Sequence, residues 1–158
     1  MAITWNDLTV DFEHLDANIL VEDWRWLVGE DARLVLISSM GDIFFQQSAG
    51  AVYSLLTGSA EYQKVAKNSE DFQQKLSDDE FIREWFVVNI VSELKEKGMN
   101  LEQGMLYGFK QLPVLGGLYH ADNFELIDIE VHLATTGQIN YHIKDLPDGT
   151  EVKFDITD

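Results

Sequence analysis

Between residues 33 and 66 the apolar positions come in short runs separated by glycine-bearing turns. The run ARLVLIS leads through Met40-Gly41-Asp42 into IFFQQ, Ser48-Ala49-Gly50 leads into AVYSLL, and Thr57-Gly58-Ser59 leads into AEYQKVA. Apolar and aromatic runs at this spacing predict a β-meander of three or four strands, with Leu34, Leu36 and Ile37 in the first. The period then changes. Ser69 can cap a short helix, EDFQQKL, whose first-turn acids complement the helix dipole. Ser77-x-x-Glu80 has capping-box spacing before FIREWFVVNIVSELKEKG. There Phe81, Trp85, Val88 and Phe86, Ile90, Leu94 recur at helical intervals, Lys95 and Lys97 fall in the last turn, and Gly98 supplies the stop. Helices are thus expected over about 69–76 and about 78–97, packed on one face of the sheet.

The two ends are less regular. Leu20, Trp24, Leu27 and Val28 can share a helical face, while Trp5 and Phe12 belong to an earlier segment. Pro113 and the Gly116-Gly117 pair make MLYGFKQLPVLGGLY an ordered loop. Ile127, Ile129, Val131 and Leu133 alternate with Asp128, Glu130 and His132, which predicts a strand. Ile139, Tyr141 and Ile143 also alternate, and 138–146 reads equally as a strand or a short helix. Asp148-Gly149 marks a turn before VKFDI, read as a final strand. The expected class is α+β, built on a mainly antiparallel twisted sheet.

Composition narrows the role. The 158 residues contain 46% apolar side chains, 28 acids, 11 bases and no cysteine. That is material for one well-cored domain, without disulfides, thiolate metal sites or cysteine nucleophiles. A net charge of −17 opposes direct binding to nucleic acid. No apolar run reaches the roughly 20 residues of a membrane span, and the acidic start MAITWNDLTVDFEHLD is unlike a signal peptide. A cytoplasmic protein with no membrane partner is expected. The charge is uneven: residues 1–31 hold eight acids and only Arg25, whereas residues 32–68 hold two acids and three bases. Residues 69–98 hold eight acids and four bases, and residues 99–158 ten acids and three bases. Both ends are acidic and the meander is nearly neutral.

No catalytic constellation emerges. Ser48 lies in QQSAG, outside any nucleophile elbow, and the glycines at 104, 108, 116 and 117 form neither a phosphate loop nor a dinucleotide fingerprint. His120 beside Asp122, with His132 and His142 imagined across a hairpin, could form a metal site, although no diagnostic spacing supports one. Asp128 and Glu130 on one strand face read as a solvated acidic stripe. Trp24, Trp26 and Trp85 read as core or interface packing, with Trp26 also a candidate partner contact.

From the loop onward the residues become specific. QLPVLGGLYHADNFELIDIEVHLATTGQINYHIKDLPDGTEV resembles the C-terminal domain of type VI secretion immunity proteins, long known only as a domain of unknown function and often found behind a GAD-like domain. The motif positions are Pro113, Leu115, Gly116, Gly117, Tyr119, Asn123, Val131, His132, Gly137, Gln138, Ile139, Leu146, Pro147, Gly149 and Thr150. Upstream, MGDIFF, AVYSLLTGSAEYQKVAKNSEDFQQKL and EWFVVNIV follow the family's order, and the likeness covers about 20–153 with 1–20 as an extension. More distantly, the chain is similar to the SMI1/KNR4-like immunity fold, an α/β platform for binding proteins.

The resemblance implies a non-catalytic protein, without cofactor or metal, that neutralises a cognate toxin delivered between bacteria. Characterised relatives act against DNA-degrading toxins, so a basic nuclease-type partner is expected to meet carboxylates placed where phosphates would go. Expected partner contacts are Trp26, Asp122, Asp128, Glu130 and His132. The adjacent glycines, with Pro113, Leu115, Tyr119, Asn123, Gly137, Gln138 and Gly149, are expected to shape the fold. A scaffold whose acidity serves only solubility, and a metal or small-molecule site at His120, Asp122 and His132, are the competing readings.

Overall fold

A computed structural model describes residues 2–147 and 149–150. The meander forms as the turns predict: β2 (Arg33–Ser38), β3 (Ile43–Gln46), β4 (Val52–Leu56) and β5 (Glu61–Ala66) pair antiparallel in chain order. The N-terminal segment adds α1 (Trp5–Leu8) and a short edge strand β1 (Thr9–Val10), whose Thr9 pairs with Ser38 of β2. It continues as α2 (Ala17–Leu20), a 3₁₀ turn at Glu22–Trp24, and α3 (Arg25–Val28).

Alternation along β3 divides the interior in two. Phe44 points to one face, stacking 5.5 Å from Phe86 and 5.3 Å from Phe72. Its neighbours Ile43 and Phe45 point to the other, into a cluster with Ile37, Leu55, Leu20, Trp24, Ile129 and Leu133. Both faces of the sheet are therefore buried, which the single helical layer expected from the sequence does not provide. The N-terminal helices and a long C-terminal helix cover the second.

The first face is covered by α4 (Ser69–Lys75), α5 (Asp79–Trp85) and α6 (Val88–Glu96). Each cap lies one residue from the predicted one, before it at Asn68 and after it at Asp78. The Asn68 side chain accepts from Asp71 N and that of Asp78 accepts from Glu80 N, in place of Ser69 and Ser77. The helix expected over 78–97 is broken at Val87, which sits in the left-handed region at φ 50°. A β-branched residue resists that conformation. The break re-aims the chain between two buried anchors, Phe86 ahead of it and Leu94 beyond it, both fully inside.

The C-terminal third departs most from its sequence reading. Met105–Phe109, expected within a loop, is strand β6, paired with β7 (Phe124–Asp128) in a separate two-stranded sheet. The strand predicted through Leu133 ends at Asp128, and α7 (Ile129–Ile143) follows. Asp128 is the switch: its carboxylate accepts from Val131 N at 3.1 Å, capping the helix. The ambiguous residues from 138 to 143 are helical. Buried positions on α7 are Ile129, His132, Leu133, Thr136, Gly137 and Asn140, a helical stripe. Half of that stripe is polar, so the apolar residues alone alternate and mimic a strand. The predicted VKFDI strand lies outside the described residues.

Helix α7 crosses the N-terminal 3₁₀ turn at Gly137, where a Cβ would lie 2.6 Å from the Asp23 carbonyl oxygen. Gly137→Ala is expected to lower stability by about 1–3 kcal/mol through overpacking, despite a helix-propensity gain of about 1 kcal/mol. A reduced urea midpoint with unchanged m-value would show this, and a raised midpoint would place the crossing elsewhere.

Candidate functional site

The motif residues converge on one turn of the meander. Thr57 and Gly58, between β4 and β5, are held from two sides. From α7, Asn140 Nδ2 donates to the Thr57 carbonyl at 3.0 Å and to the Thr136 carbonyl at 2.9 Å. From the loop, Val114 N donates to the Gly58 carbonyl at 3.1 Å. The Pro113 ring packs so closely on Gly58 that a Cβ there would come within 2.7 Å of Pro113 Cδ.

Beneath the turn lies a buried polar cluster. Thr57 Oγ1 donates to the Gly41 carbonyl at 2.7 Å and stands 3.0 Å from His132 Nε2. Nε2 also lies 3.3 Å from the same carbonyl. With the Thr57 proton committed to Gly41, the ring must donate through Nε2, which fixes the neutral tautomer. His132 is only 2% exposed, and burial holds its pKa down to about 4 although the Gly41 contact favours the charged form. Gly41 has φ +86°, and any Cβ there would run into the His132 ring. Next to it, burial pushes Asp42 up to about 7, against the opposing effect of the Thr57 N–H that its Oδ1 accepts at 3.2 Å. His132 therefore braces α7 from inside and is out of reach of a docked partner, contrary to its expected role as a contact.

The Pro-x-Leu-Gly-Gly-x-Tyr loop is built by the same economy of backbone partners. Pro113 opens a 3₁₀ turn, Pro113–Leu115, that Gly116 ends in the left-handed region at φ 94°. Gly117 passes against the Gln111 carbonyl with no space for a Cβ. Asn123 spans the loop: Nδ2 donates to Gln111 O and Leu118 O, each at 2.9 Å, and Oδ1 accepts from Gln111 N at 3.0 Å. Held this way, the loop leaves Leu118 73% exposed and Tyr119 half exposed, its ring edge-on to Phe109 at 5.2 Å. Partial burial raises the Tyr119 hydroxyl above the ordinary phenol range, with the charges of Asp42 and Glu61 adding to it. Further along, Gln138 reaches Asp23 Oδ1 at 3.4 Å, and Gly149 takes φ +83°.

The other expected contacts are dispersed. Asp122 is exposed and paired with Lys97 Nζ at 2.8 Å, which holds its carboxyl below the usual range. Asp128 and Glu130 are exposed, but at the cap and first turn of α7, not along a strand face. Trp26 is partly buried, stacked on Trp24 and edge-on to Tyr141 of α7. The imagined metal set is likewise separated. His120 and Asp122 share an exposed turn, His132 is buried under Gly41, and His142 lies ten positions along the same helix rather than across a hairpin. Among the described residues no three histidine or carboxylate side chains are grouped as a metal site, and no helix is long and apolar enough to cross a membrane. Sequence reasoning missed Gly41, Asp42, Thr57 and Asn140. The Met40-Gly41-Asp42 and Thr57-Gly58-Ser59 turns were visible as turns, but nothing in their spacing pointed to α7.

Two outcomes test this arrangement. Asp42 has its folded pKa raised, so its contribution is full below the unfolded value and is lost as pH rises toward about 7. Asp42→Asn keeps the acceptor for Thr57 N and removes the titration. Relative to wild type, its unfolding free energy should therefore improve between pH 5 and pH 8; an unchanged difference would mean that Asp42 titrates normally. His132, with its pKa lowered, adds the opposite slope between about 4 and 6.5 in both proteins and cancels in that comparison. In the loop, Asn123→Ala should accelerate amide exchange at Gln111 and across 111–118 while β2–β5 stay protected; uniform exchange would deny the loop its clamp.

No curated protein matches the chain. Residues 66–140 match the family model described as T6SS immunity protein Tdi1, C-terminal, a stretch running from the last residue of β5 to Asn140 of α7. It takes in the Pro-x-Leu-Gly-Gly-x-Tyr loop, the Asn123 clamp, His132 and the Gly137 crossing, the features on which the resemblance of the sequence rests. Across these residues the chain is similar to the T6SS immunity protein Tdi1 C-terminal family.

Proposed function

We propose that this protein is a non-catalytic immunity protein that binds a cognate toxin delivered by type VI secretion and neutralises it in the cytoplasm. The observation that carries the reading is the family match over residues 66–140. Charge supports a basic, nuclease-type toxin as the partner. An enzyme that binds a polyanion needs a cationic cleft, and a net −17 surface competes for that cleft and speeds encounter with it. Exposed carboxylates at Asp122, Asp128 and Glu130 are available for such contacts. Asp128 also caps α7 and Asp122 is held by Lys97, so Glu130 is the one of the three free to act through charge alone. The buried cluster at His132 serves the reading indirectly, by fixing α7 against the meander.

The test is co-expression with the toxin encoded beside this gene. Growth should be restored, and the toxin should copurify at low salt with an association rate that falls as ionic strength rises. A neighbouring toxin that is neither bound nor neutralised would overturn the reading. A bound toxin with a salt-independent rate would leave immunity standing and remove the basic partner.

A further inference from the structure

We propose that the partner docks on the surface formed by α2, α3 and the exposed side of α7, centred on Trp26 and Tyr141, and that it presents a basic protein surface there. The proposal rests on the immunity reading and adds to it a location.

Trp26 and Tyr141 form a preorganised aromatic pair. The Trp26 indole stacks on the fully buried Trp24 at 5.7 Å and meets the edge of Tyr141 at 5.7 Å. Its N–H is already committed to the Asp23 carbonyl at 2.8 Å. Tyr141 is 49% exposed on α7, and α7 is fixed by the close approach of Gly137 to Asp23. Trp26 is partly buried and Tyr141 half exposed, and rigid Trp and Tyr side chains lose little entropy on docking and dominate binding energy at protein interfaces.

At the α7 end of this surface Lys144 lies 4.9 Å over the Tyr141 ring and is paired with Asp145, so the charge that selects the partner is that of the N-terminal segment. Residues 11–31 hold seven carboxylates, Asp11, Glu13, Asp16, Glu22, Asp23, Glu30 and Asp31, and none makes an ion pair among the described residues. Asp7, Asp71, Asp122 and Asp145, by contrast, each have a lysine. The single base of the segment, Arg25, turns its guanidinium to the carbonyls of Gly29 at 3.0 Å and Ala32 at 2.6 Å, so it neutralises no side chain. Beside it an open groove of about 550 Å³ is lined by Asn18, Ile19, Glu22, Arg25 and Glu30, with Ile19 58% exposed. Ile19 set between the unpaired Glu22 and Glu30 suits the stem and charged tip of a lysine or arginine. Another exposed apolar feature, Leu118 and Tyr119, has Lys97 and His120 with Asp122 nearby and lacks this charge complement. The chosen surface also joins residues upstream of the matched stretch to α7, which begins inside it and carries Tyr141 just past its end.

Binding kinetics of the full chain with the toxin encoded beside its gene provide the test. Tyr141→Ala is expected to weaken affinity at least about tenfold, mostly through faster dissociation. Glu22→Lys with Glu30→Lys, at exposed positions where folding is insensitive, should slow association about tenfold and flatten its salt dependence. Leu118→Ala should bind as wild type. A wild-type chain that binds the toxin while the Tyr141 and Glu22/Glu30 variants match it would overturn this surface and leave the immunity reading intact. Loss confined to Leu118→Ala would move the interface to the loop. A wild-type chain that fails to bind would overturn both.

Discussion

The rest of the molecule depends on the clasp around Thr57. A meander with two apolar faces needs cover on both, and the turn between β4 and β5 is where the covering elements meet. Thr57 receives α7 through His132 and Asn140, and Gly58 receives the loop through Pro113 and Val114. Each of those contacts is polar or sterically tight, so none can slide by a residue without leaving a buried group unpaired. Apolar burial decides that α7 lies on the sheet; the clasp decides in which register.

That division explains what sequence reading reached. Strands β2 to β5 and helices α4 to α6 present apolar residues at a single clean period, so hydrophobic pattern alone locates them. Helix α7 does not. Its inward stripe carries His132, Thr136, Gly137 and Asn140, and the remaining apolar residues fall on alternate positions by accident. The break at Val87 was hidden for the opposite reason: the apolar intervals continue through it, and only the burial of Phe86 against Phe44 reveals the turn.

The candidate site was half legible. Resemblance to the family picked out Gly116, Gly117, Asn123, His132 and Gly137, and each has an identifiable structural reason: a left-handed cap, a close carbonyl, a loop clamp, a buried donor and a helix crossing. Their partners were not legible, because Gly41, Asp42 and Thr57 lie far upstream and become neighbours only in three dimensions. Motif residues in this fold maintain a platform. The exposed carboxylates at Asp122, Asp128 and Glu130 and the Trp26–Tyr141 pair sit outside the motif.

The separation of the clasp's members along the chain also sets an order of events. His132 meets Thr57 across 75 positions and Gly41 across 91. Closing so long a loop is entropically costly before other contacts form, so the clasp belongs to the late stages of folding. During synthesis the N-terminal helices and the meander leave the ribosome before α7, and the face of Ile43, Phe45 and Leu55 lacks the α7 half of its cover until that helix has emerged. Over that interval the nascent chain carries a partly uncovered apolar sheet face behind an acidic N-terminal segment, whose like charge opposes the approach of neighbouring copies.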